Sequence, residues 1–340
     1  MMASDLARYL SERVPRYTSY PTAPHFSAAV DGATYGGWLG ALPAAARLSL
    51  YLHVPFCRQL CWYCGCHTKV AIDNRPVDYY LAGLEAEIDL VADRLGAARP
   101  VVHLHWGGGT PTIVGPRGFL RAMERVRRRF AVDDAAEIAV EIDPRRLDAR
   151  MAEALAAGGV TRASLGVQSF DPQVQGAVNR IQSLAETRNA ATRLRAAGIG
   201  RLNIDLLYGL PHETEESCRD TAEAVLSLAP DRLAVFGYAH VPGMKRHQQL
   251  IHVAALPGPA ERLRQEQAIA AVLGAAGFGR IGLDHYARAE DALARAQAAG
   301  RLRRNFQGYT DDPAVALIGF GASAISALPQ GYLQNGQRLG

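Results

Sequence analysis

The sequence predicts an α/β fold in the form of a partial (β/α)6 barrel, on three observations. Short apolar runs alternate with longer amphipathic stretches, which is typical of parallel strands joined by right-handed helical crossovers. Six such units can be counted, fewer than the eight of a closed barrel, so we expect a partial barrel or an open sheet. The chemically unusual residues follow the strands, where parallel α/β folds bind their ligands.

The elements follow from the apolar periodicity. The predicted strands are Ser49–Phe56, Val101–Trp106, Glu137–Ile142, Arg162–Gln168, Leu202–Tyr208 and Leu233–Ala239. The helical patterns are Tyr79–Leu95, Pro116–Arg129, Leu147–Ala157, Leu184–Ala197, Glu215–Leu228 and Pro259–Ala276. We divide the chain into an N-terminal extension over residues 1–45, the partial barrel over 46–280 and a barrel-closing segment over 281–340.

Four cysteines lie within ten residues, directly after the first strand, with the spacing C-x3-C-x2-C-x-C. They are Cys57, Cys61, Cys64 and Cys66. Tetrahedral zinc sites usually combine two separated ligand pairs, and here the only other cysteine is Cys218. Three thiolates on one tight loop suit an iron–sulfur cube, in which each thiolate holds one iron and the fourth iron can bind a ligand. A disulfide pair or a zinc knuckle is the alternative.

The composition favours a globular protein of the cytoplasm. The chain has 340 residues, of which 49 % are apolar and 21 % charged, as in folds with a substantial core. The N-terminal stretch lacks the apolar core of a secretion signal, and charges interrupt every long apolar run. A cysteine cluster without a secretion signal indicates a reducing cytosol. A net charge of +4 is too small to indicate nucleic-acid binding, and we expect a monomer without a nucleic-acid or membrane partner.

The other predicted strands end in glycines or polar residues. In chain order these are the triplet Gly107-Gly108-Gly109 with Thr110, then Glu141 and Asp143, then Gln168, then Asp205, then Ala239 and His240. Each has an ordinary explanation taken alone, since a glycine triplet is usually a turn and a carboxylate is often a helix cap. Their shared placement at the carboxyl ends of strands predicts that they face one mouth of the barrel.

Together with the cysteine motif, the segments GGGTPT, EIDPR, GVQSF, VNRIQ and NIDLLYGLP resemble the radical S-adenosylmethionine superfamily. Within it, the chain is similar to the oxygen-independent coproporphyrinogen III oxidases of haem biosynthesis. Three features favour these over their haem-chaperone-like relatives: RYTSYPTAPHF (Arg16–Phe26), Cys66 in CGC, and RNFQGYT (Arg304–Thr310) with the IGFGASAIS and YLQNG segments that follow.

The resemblance implies that Cys57, Cys61 and Cys64 hold a 4Fe–4S cluster, with Cys66 near the cluster but not a ligand. The open iron would bind S-adenosylmethionine, and two S-adenosylmethionine molecules are expected per chain. Glycine backbone can approach such a ligand closely, carboxylates and amides can hydrogen-bond to it, and an arginine can pair with its carboxylate. The residues expected around the two molecules are Tyr51, Tyr63, Gly108, Gly109, Thr110, Glu141, Gln168, Arg180, Asp205, Ala239 and Ile325.

The implied reaction is the conversion of two propionate groups of coproporphyrinogen III to vinyl groups by a 5′-deoxyadenosyl radical, giving protoporphyrinogen IX. The porphyrinogen has an acidic rim and an apolar centre, and the basic and aromatic residues expected to bind it are Arg16, Tyr17, Tyr20, Arg304 and Phe306. Core packing and solvated surface charge are the ordinary explanations of such residues. An electron donor such as flavodoxin or ferredoxin is implied as a partner. No residue is assigned as a catalytic group.

Other functions stay open on the sequence alone. A haem-carrying chaperone would share the barrel, a radical enzyme acting on another tetrapyrrole would share the cofactor site, and a zinc-binding structural module would use the cysteines differently. Family members also carry a mainly helical C-terminal domain, and we expect the closing segment, residues 281–340, to stop before it.

Overall fold

The computed structural model describes residues 21–22, 25–27 and 29–339. Three residues expected at the substrate, Arg16, Tyr17 and Tyr20, lie outside the described residues, and their role stays a prediction. The described part of the chain is organised around one eleven-stranded sheet with helices packed on it.

The elements of the described ranges are numbered in chain order. The strands are β1 (Leu48–Val54), β2 (Phe56–Cys57), β3 (Lys69–Val70), β4 (Pro100–Gly108), β5 (Ala131–Ile142), β6 (Arg162–Gln168), β7 (Arg201–Tyr208), β8 (Arg232–Gly237), β9 (Gly279–Ile281), β10 (His285–Ala287), β11 (Arg303–Asn305), β12 (Gly308–Thr310), β13 (Ala316–Phe320), β14 (Ile325–Leu328) and β15 (Gly331–Gln334). The α-helices are α1 (Gly32–Gly40), α2 (Arg75–Leu95), α3 (Gly115–Arg129), α4 (Ala149–Ala157), α5 (Pro172–Ala177), α6 (Leu184–Ala196), α7 (Glu215–Leu226), α8 (Pro259–Ala275) and α9 (Ala292–Ala298).

The main sheet is an open barrel wall, as the sequence predicts. Its strand order is β15-β14-β13-β1-β4-β5-β6-β7-β8-β10-β9, and all neighbours from β13 to β8 are parallel. The short strands at both edges are antiparallel. The edge strands β15 and β9 do not pair with each other, so the barrel is partial.

The predicted elements are present, with bounds that differ by a few residues. The largest difference is at the start of β5, at Ala131 rather than Glu137, because its first six residues, AVDDAA, are mostly exposed and do not alternate regularly between apolar and polar side chains. The sequence reading did not identify β13, a fully buried strand that pairs in parallel with β1. This pairing joins the closing segment to the barrel wall, while the division at residues 45 and 280 stays a prediction.

Each barrel strand has one face against the helices and one face toward the barrel interior, because successive side chains of a strand point to opposite sides. In β1, Leu50 and Leu52 are buried in the main apolar core, whereas the alternate Tyr51 contacts polar neighbours. The alternate positions of β5 and β7 hold Glu141 and Asp205. The interior is therefore polar near the carboxyl ends of the strands. In the described ranges, no helix has the length and apolarity needed to cross a bilayer.

Candidate functional site

The cysteine loop, residues 57–68, follows β1 and is closed at its base by backbone pairing. It begins on β2, which runs parallel to β3. The glycine triplet at the end of β4 bonds to the same base, since Gly109 N donates to Val54 O at 2.9 Å and Thr110 N donates to Phe56 O at 2.8 Å. Two predicted motifs that lie far apart in the sequence are thus joined by main-chain hydrogen bonds.

Cys57 lies at the base of the cysteine loop and is partly buried. Its sulfur accepts hydrogen bonds from the hydroxyls of Thr68 at 3.4 Å and Thr110 at 3.3 Å. Burial raises the pKa of the Cys57 thiol, and the two hydroxyls oppose that rise. Hydrogen bonds to a charged form favour it, so these donors suit a thiolate ligand at this position.

Cys61 lies beside two guanidinium groups. Arg180 Nη1 is 3.5 Å and Arg145 Nη2 is 4.0 Å from its sulfur. Asp143 binds Arg145 through both carboxylate oxygens, at 2.8 and 2.7 Å, and lies 3.9 Å from Arg180. Although burial acts to raise it, Arg145 and Arg180 hold the pKa of Asp143 below its ordinary value. Two positively charged groups therefore lie beside the Cys61 sulfur.

Arg180 is buried and has unused hydrogen-bonding capacity. Its Nη2 donates to Gly166 O at 2.5 Å, while its Nε has no hydrogen-bond partner among the described residues. A Cβ placed on Gly166 would lie 3.1 Å from Gln168 Nε2 and 3.2 Å from Arg180 Nη2, so both side chains converge on this glycine. Gln168 has a φ of +73°, which is uncommon for a residue other than glycine. A buried donor without a partner in the described structure is available to the polar group of a bound ligand.

The second half of the cysteine loop is held by three side chains that follow β8. Each is positioned to donate to a backbone carbonyl of the loop. The contacts are Gln248 Nε2 with Tyr63 O (3.0 Å) and with Ala239 O (3.3 Å), His247 Nε2 with Cys64 O (2.7 Å), and Lys245 Nζ with Cys66 O (3.0 Å). Sequence reasoning missed the three donors because they form no motif, and the only signal is that they follow the end of the sixth predicted strand.

Cys64 and Cys66 have different surroundings. The hydrogen bond from the Cys66 side chain lowers the pKa of Cys64 to about 7, against the effect of burial. The same contact raises the pKa of Cys66, which keeps the proton of the pair. Cys66 is exposed, whereas Cys61 is buried. The pair therefore favours Cys64 over Cys66 as a thiolate, and the ligand roles stay a prediction.

Glu141 connects the glycine triplet to the barrel interior. Its Oε2 accepts from Gly108 N at 3.1 Å and its Oε1 lies 3.2 Å from His105 Nε2. A Cβ on Gly107 would lie 2.8 Å from Glu141 Oε1 and 2.9 Å from the Tyr51 ring, so no side chain fits there. Gly108 has a φ of +118°, a conformation that glycine adopts readily. The triplet is therefore needed for the close approach of β4 to these side chains.

Asp205 lies in the barrel interior with its own donors. It accepts hydrogen bonds from Ser164 Oγ at 3.0 Å and Asn203 Nδ2 at 2.8 Å. Burial, and after it the charge of Glu141, raises the pKa of Asp205 to about 6. The carboxylates of Asp205 and Glu141 both lie at this mouth, and together they provide acceptors for amino or hydroxyl groups.

A second pocket adjoins this mouth on the side of β13 and β14. Tyr51 lies between the two, with its hydroxyl 2.9 Å from His53 Nδ1 and its ring edge-on to Phe306 at a centroid distance of 4.8 Å. The pocket has a volume of about 200 Å³, and Arg304, Phe306 and Ile325 are among the residues that line it. Ile325 thus lines this pocket, and Tyr51 contacts Phe306 in its wall.

The structure brings most of the expected cofactor residues to the mouth beside the cysteine loop. They are Tyr51, Tyr63, Gly108, Gly109, Thr110, Glu141, Gln168, Arg180, Asp205 and Ala239. The sulfurs of Cys57 and Cys61 contact different donors and so lie at separate points, as the corners of a cube require. In the described part of the chain, no three His, Cys, Asp or Glu side chains gather closely enough to hold a single metal ion. The donor set and the partnerless Arg180 Nε fit a cluster with a bound ligand.

Known proteins share both the sequence motifs and the fold of this chain. The family model of the Radical SAM superfamily matches residues 51–225. The oxygen-independent coproporphyrinogen III oxidase of Bradyrhizobium diazoefficiens is 56 % identical over 340 residues, which cover 100 % of this chain and 76 % of that protein. The protein of the same name from Paracoccus denitrificans is 48 % identical over 328 residues, covering 96 % of this chain and 73 % of the relative.

A solved structure extends the similarity to three dimensions. Coproporphyrinogen III oxidase (HemN) from Escherichia coli, a radical SAM enzyme, matches with a TM-score of 0.93 and 41 % sequence identity. The match covers 100 % of this chain and 76 % of that chain. The similarity therefore includes the partial barrel, the cysteine loop and the closing strands.

Proposed function

Because the chain belongs to the radical S-adenosylmethionine superfamily and, within it, to the oxygen-independent coproporphyrinogen III oxidases, we propose that it decarboxylates coproporphyrinogen III without oxygen. Two propionate side chains would become vinyl groups, and the product would be protoporphyrinogen IX. The observation that carries this proposal is the convergence of the cysteine loop with Gly108, Glu141 and Arg180 at one mouth. The activity is an oxidoreductase reaction of haem biosynthesis.

The cofactors define what the cysteine loop does. Proteins of this superfamily use a 4Fe–4S cluster and S-adenosylmethionine. When bound, they would supply the abstraction of a hydrogen atom from the β-carbon of a propionate, and the vinyl group would form with loss of CO2 and transfer of one electron to an electron acceptor. Cys57, Cys61 and Cys64 would hold the cluster. Cys66 is the proton-bearing neighbour of Cys64, and Cys218 is a buried residue of α7.

The polar residues of the mouth would bind the first S-adenosylmethionine. Arg180, whose Nε is buried without a partner among the described residues, would pair with the carboxylate of its methionyl end. Gly108 and Gly109 would let the backbone lie close to the same end. Glu141 and Asp205 would accept hydrogen bonds from amino or ribose hydroxyl groups.

The adjoining pocket would take the second S-adenosylmethionine, and substrate would lie beside it. Ile325 and Phe306 provide an apolar wall there, and Tyr51, whose ring contacts Phe306, would lie between the two molecules. Arg304 supplies positive charge for a propionate of the rim. Its guanidinium lies 4.6 Å from the centre of the Tyr309 ring, which fixes its orientation. The N-terminal extension, residues 1–45, would complete the substrate site.

The partners and location follow from the chemistry. A cluster that must be reduced needs a donor such as flavodoxin or ferredoxin, and we propose a small electron-transfer protein of this kind. All five cysteines are free, as expected for a reducing cytoplasm. We propose a monomer composed of the extension, the partial barrel over residues 46–280 and the closing segment over residues 281–340.

Anaerobic reconstitution tests the proposal directly. The 340-residue chain is loaded with iron and sulfide and then given S-adenosylmethionine and dithionite, with and without coproporphyrinogen III. The readouts are 5′-deoxyadenosine and vinyl-bearing product. Cys61→Ala should abolish both, whereas Cys218→Ala, which changes a thiol far from the loop, is the matched control.

The outcomes separate the alternatives. Deoxyadenosine that rises with substrate, together with a vinyl product, supports the decarboxylase. Deoxyadenosine without product would overturn the substrate assignment and leave a radical enzyme acting on another tetrapyrrole. Stoichiometric haem uptake without cleavage of S-adenosylmethionine would indicate a chaperone-like protein. A chain that takes up zinc but no iron–sulfur cluster would overturn the proposal entirely.

A further inference from the structure

We propose that Gln248 is a positioning residue that holds the cysteine loop against the carboxyl end of β8 and so sets the placement of Cys64. What the loop carries rests on the proposed function, but the holding itself does not. Gln248 lies in a short 3-10 helix, Arg246–Leu250, and its side chain is fully buried.

The topology explains why such a holding residue is needed. The cysteine loop follows β1, whereas Gln248 follows β8, and four strands separate β1 from β8 in the sheet. Because the barrel is open, no strand pairing joins these two elements directly. The loop crosses the mouth, and its far side needs an anchor on the β8 side.

The Gln248 amide is bonded entirely to backbone. Its Nε2 donates to Tyr63 O at 3.0 Å and to Ala239 O at 3.3 Å, while its Oε1 accepts from Val241 N at 2.6 Å. One planar group therefore joins the loop to the chain that leaves β8. Tyr63 and Ala239 are both expected S-adenosylmethionine residues, so the same amide links two parts of that wall.

The other parts of the loop have separate anchors. Cys57 is held by the β2–β3 pairing and two threonine hydroxyls. The region of Cys61 is held by Arg180 and by Asn179, whose Nδ2 donates to Leu60 O at 2.9 Å. His247 and Lys245 also contact the second half, but they are less buried than Gln248. Loss of Gln248 should therefore loosen residues 62–66 and leave the first half in place.

Two variants separate the functions of the amide. Gln248→Met keeps the length of the side chain and removes all three hydrogen bonds. Gln248→Glu keeps the acceptor for Val241 N and, once its carboxyl is ionised at alkaline pH, has no donor for Tyr63 and Ala239. The control is Gln265→Met, because Gln265 is an equally buried amide that joins Glu213 O (2.6 Å) and Gly209 N (3.0 Å) elsewhere.

Hydrogen exchange of the reduced, cluster-free chain is the first readout. Both Gln248 variants should raise exchange in residues 62–66 by about tenfold or more, with little change in residues 57–61. Gln265→Met should leave both segments as in the unmodified chain. Equal acceleration in all three variants, or none in the Gln248 variants, would overturn the proposal. If Gln248→Met does not fold, Gln248→Glu provides the same comparison.

The loaded chain provides a second and independent readout. The Gln248 variants should raise the KM for S-adenosylmethionine more than they lower kcat, and should alter the electron paramagnetic resonance signal that S-adenosylmethionine induces. A selective loosening of residues 62–66 in a chain that never forms vinyl product would leave this inference intact and refute the proposed function. Normal turnover together with normal exchange in both Gln248 variants would refute this inference and leave the proposed function intact.

Discussion

The guanidinium of Arg180 lies 3.5 Å from the sulfur of Cys61, although 119 residues separate them in the chain. Arg180 also contacts Gly166 O, on β6, and lies 3.9 Å from Asp143, which follows β5. Residues from the ends of β5 and β6 therefore meet beside the Cys61 thiol. Positive charge therefore lies beside the Cys61 sulfur, and the buried Nε of Arg180 has no hydrogen-bond partner among the described residues. The electrostatics of the site therefore depend on this contact.

Replacing Arg180 with glutamine should make the bound cluster harder to reduce. Removal of a positive charge beside a cluster thiolate disfavours the more negative reduced state, and we expect the midpoint potential to fall by on the order of 50 mV. A redox titration followed by electron paramagnetic resonance measures the shift. Arg188→Gln is the control, because Arg188 is exposed and bonds to Ser227 instead. An unchanged potential in Arg180→Gln would contradict the electrostatic role.

Gly109→Ala should destabilise the chain and impair cluster loading. The new Cβ would lie 2.5 Å from Thr68 Oγ1 and 2.6 Å from Phe56 O, so the base of the cysteine loop must move. We expect a loss of about 1–3 kcal/mol in the free energy of unfolding, measured with urea. Gly83→Ala, in the middle of α2 with open space around it, should instead stabilise by about 0.5–1 kcal/mol. Similar effects of the two substitutions would refute the close-packing argument.

Cysteine substitutions should divide into two groups. Cys57→Ala, Cys61→Ala and Cys64→Ala each remove a corner ligand and should reduce iron well below about four atoms per chain. Cys66→Ala and Cys218→Ala should keep iron at the level of the unmodified chain, since neither is an assigned ligand. Colorimetric iron and sulfide determination after anaerobic reconstitution measures both groups. If Cys66→Ala loses the cluster and Cys64→Ala retains it, Cys66 rather than Cys64 is the ligand.

Binding of S-adenosylmethionine should weaken as pH falls through 6. The pKa of Asp205 is raised to about 6, so below that pH its carboxylate gains a proton and loses acceptor capacity. We expect the dissociation constant to rise by up to about tenfold between pH 7 and pH 5. Anaerobic equilibrium dialysis measures this dependence. Asp205→Asn should bind more weakly and show less variation with pH, and an equally steep dependence in that variant would assign the titration to another group.

Folding stability should fall as pH rises toward 8 because of Glu213. Burial raises its pKa to about 8, above the ordinary value of 4.5, so between these values the folded state holds a proton that the unfolded state has released. Stability therefore declines through this window, by on the order of 3 kcal/mol between pH 5.5 and pH 8 for this group. Glu213→Gln keeps an acceptor for Leu210 N and removes the titration. Urea unfolding at pH 5.5 and pH 8 should show a smaller decline in the free energy of unfolding for the variant than for the unmodified chain. Equal declines in the two proteins would contradict this prediction.

The sequence by itself determined the class of fold, the elements of the barrel and the chemistry of the loop. Strand periodicity, helix periodicity and the spacing of Cys57, Cys61 and Cys64 are local properties, and local properties can be read without knowing how the chain returns on itself. The glycine triplet was recognised with its motif, because close backbone approach depends on residue type.

The tertiary structure alone decided which distant residues meet. Gln248 and Tyr63 belong to segments on opposite sides of the open barrel, and no periodicity records that their amide and carbonyl groups face each other. The pairing of β13 with β1 likewise depends on the sheet order. The physical reason is that contacts between distant segments are set by the crossovers and register of the whole sheet, whereas the sequence displays directly only the properties of neighbouring residues.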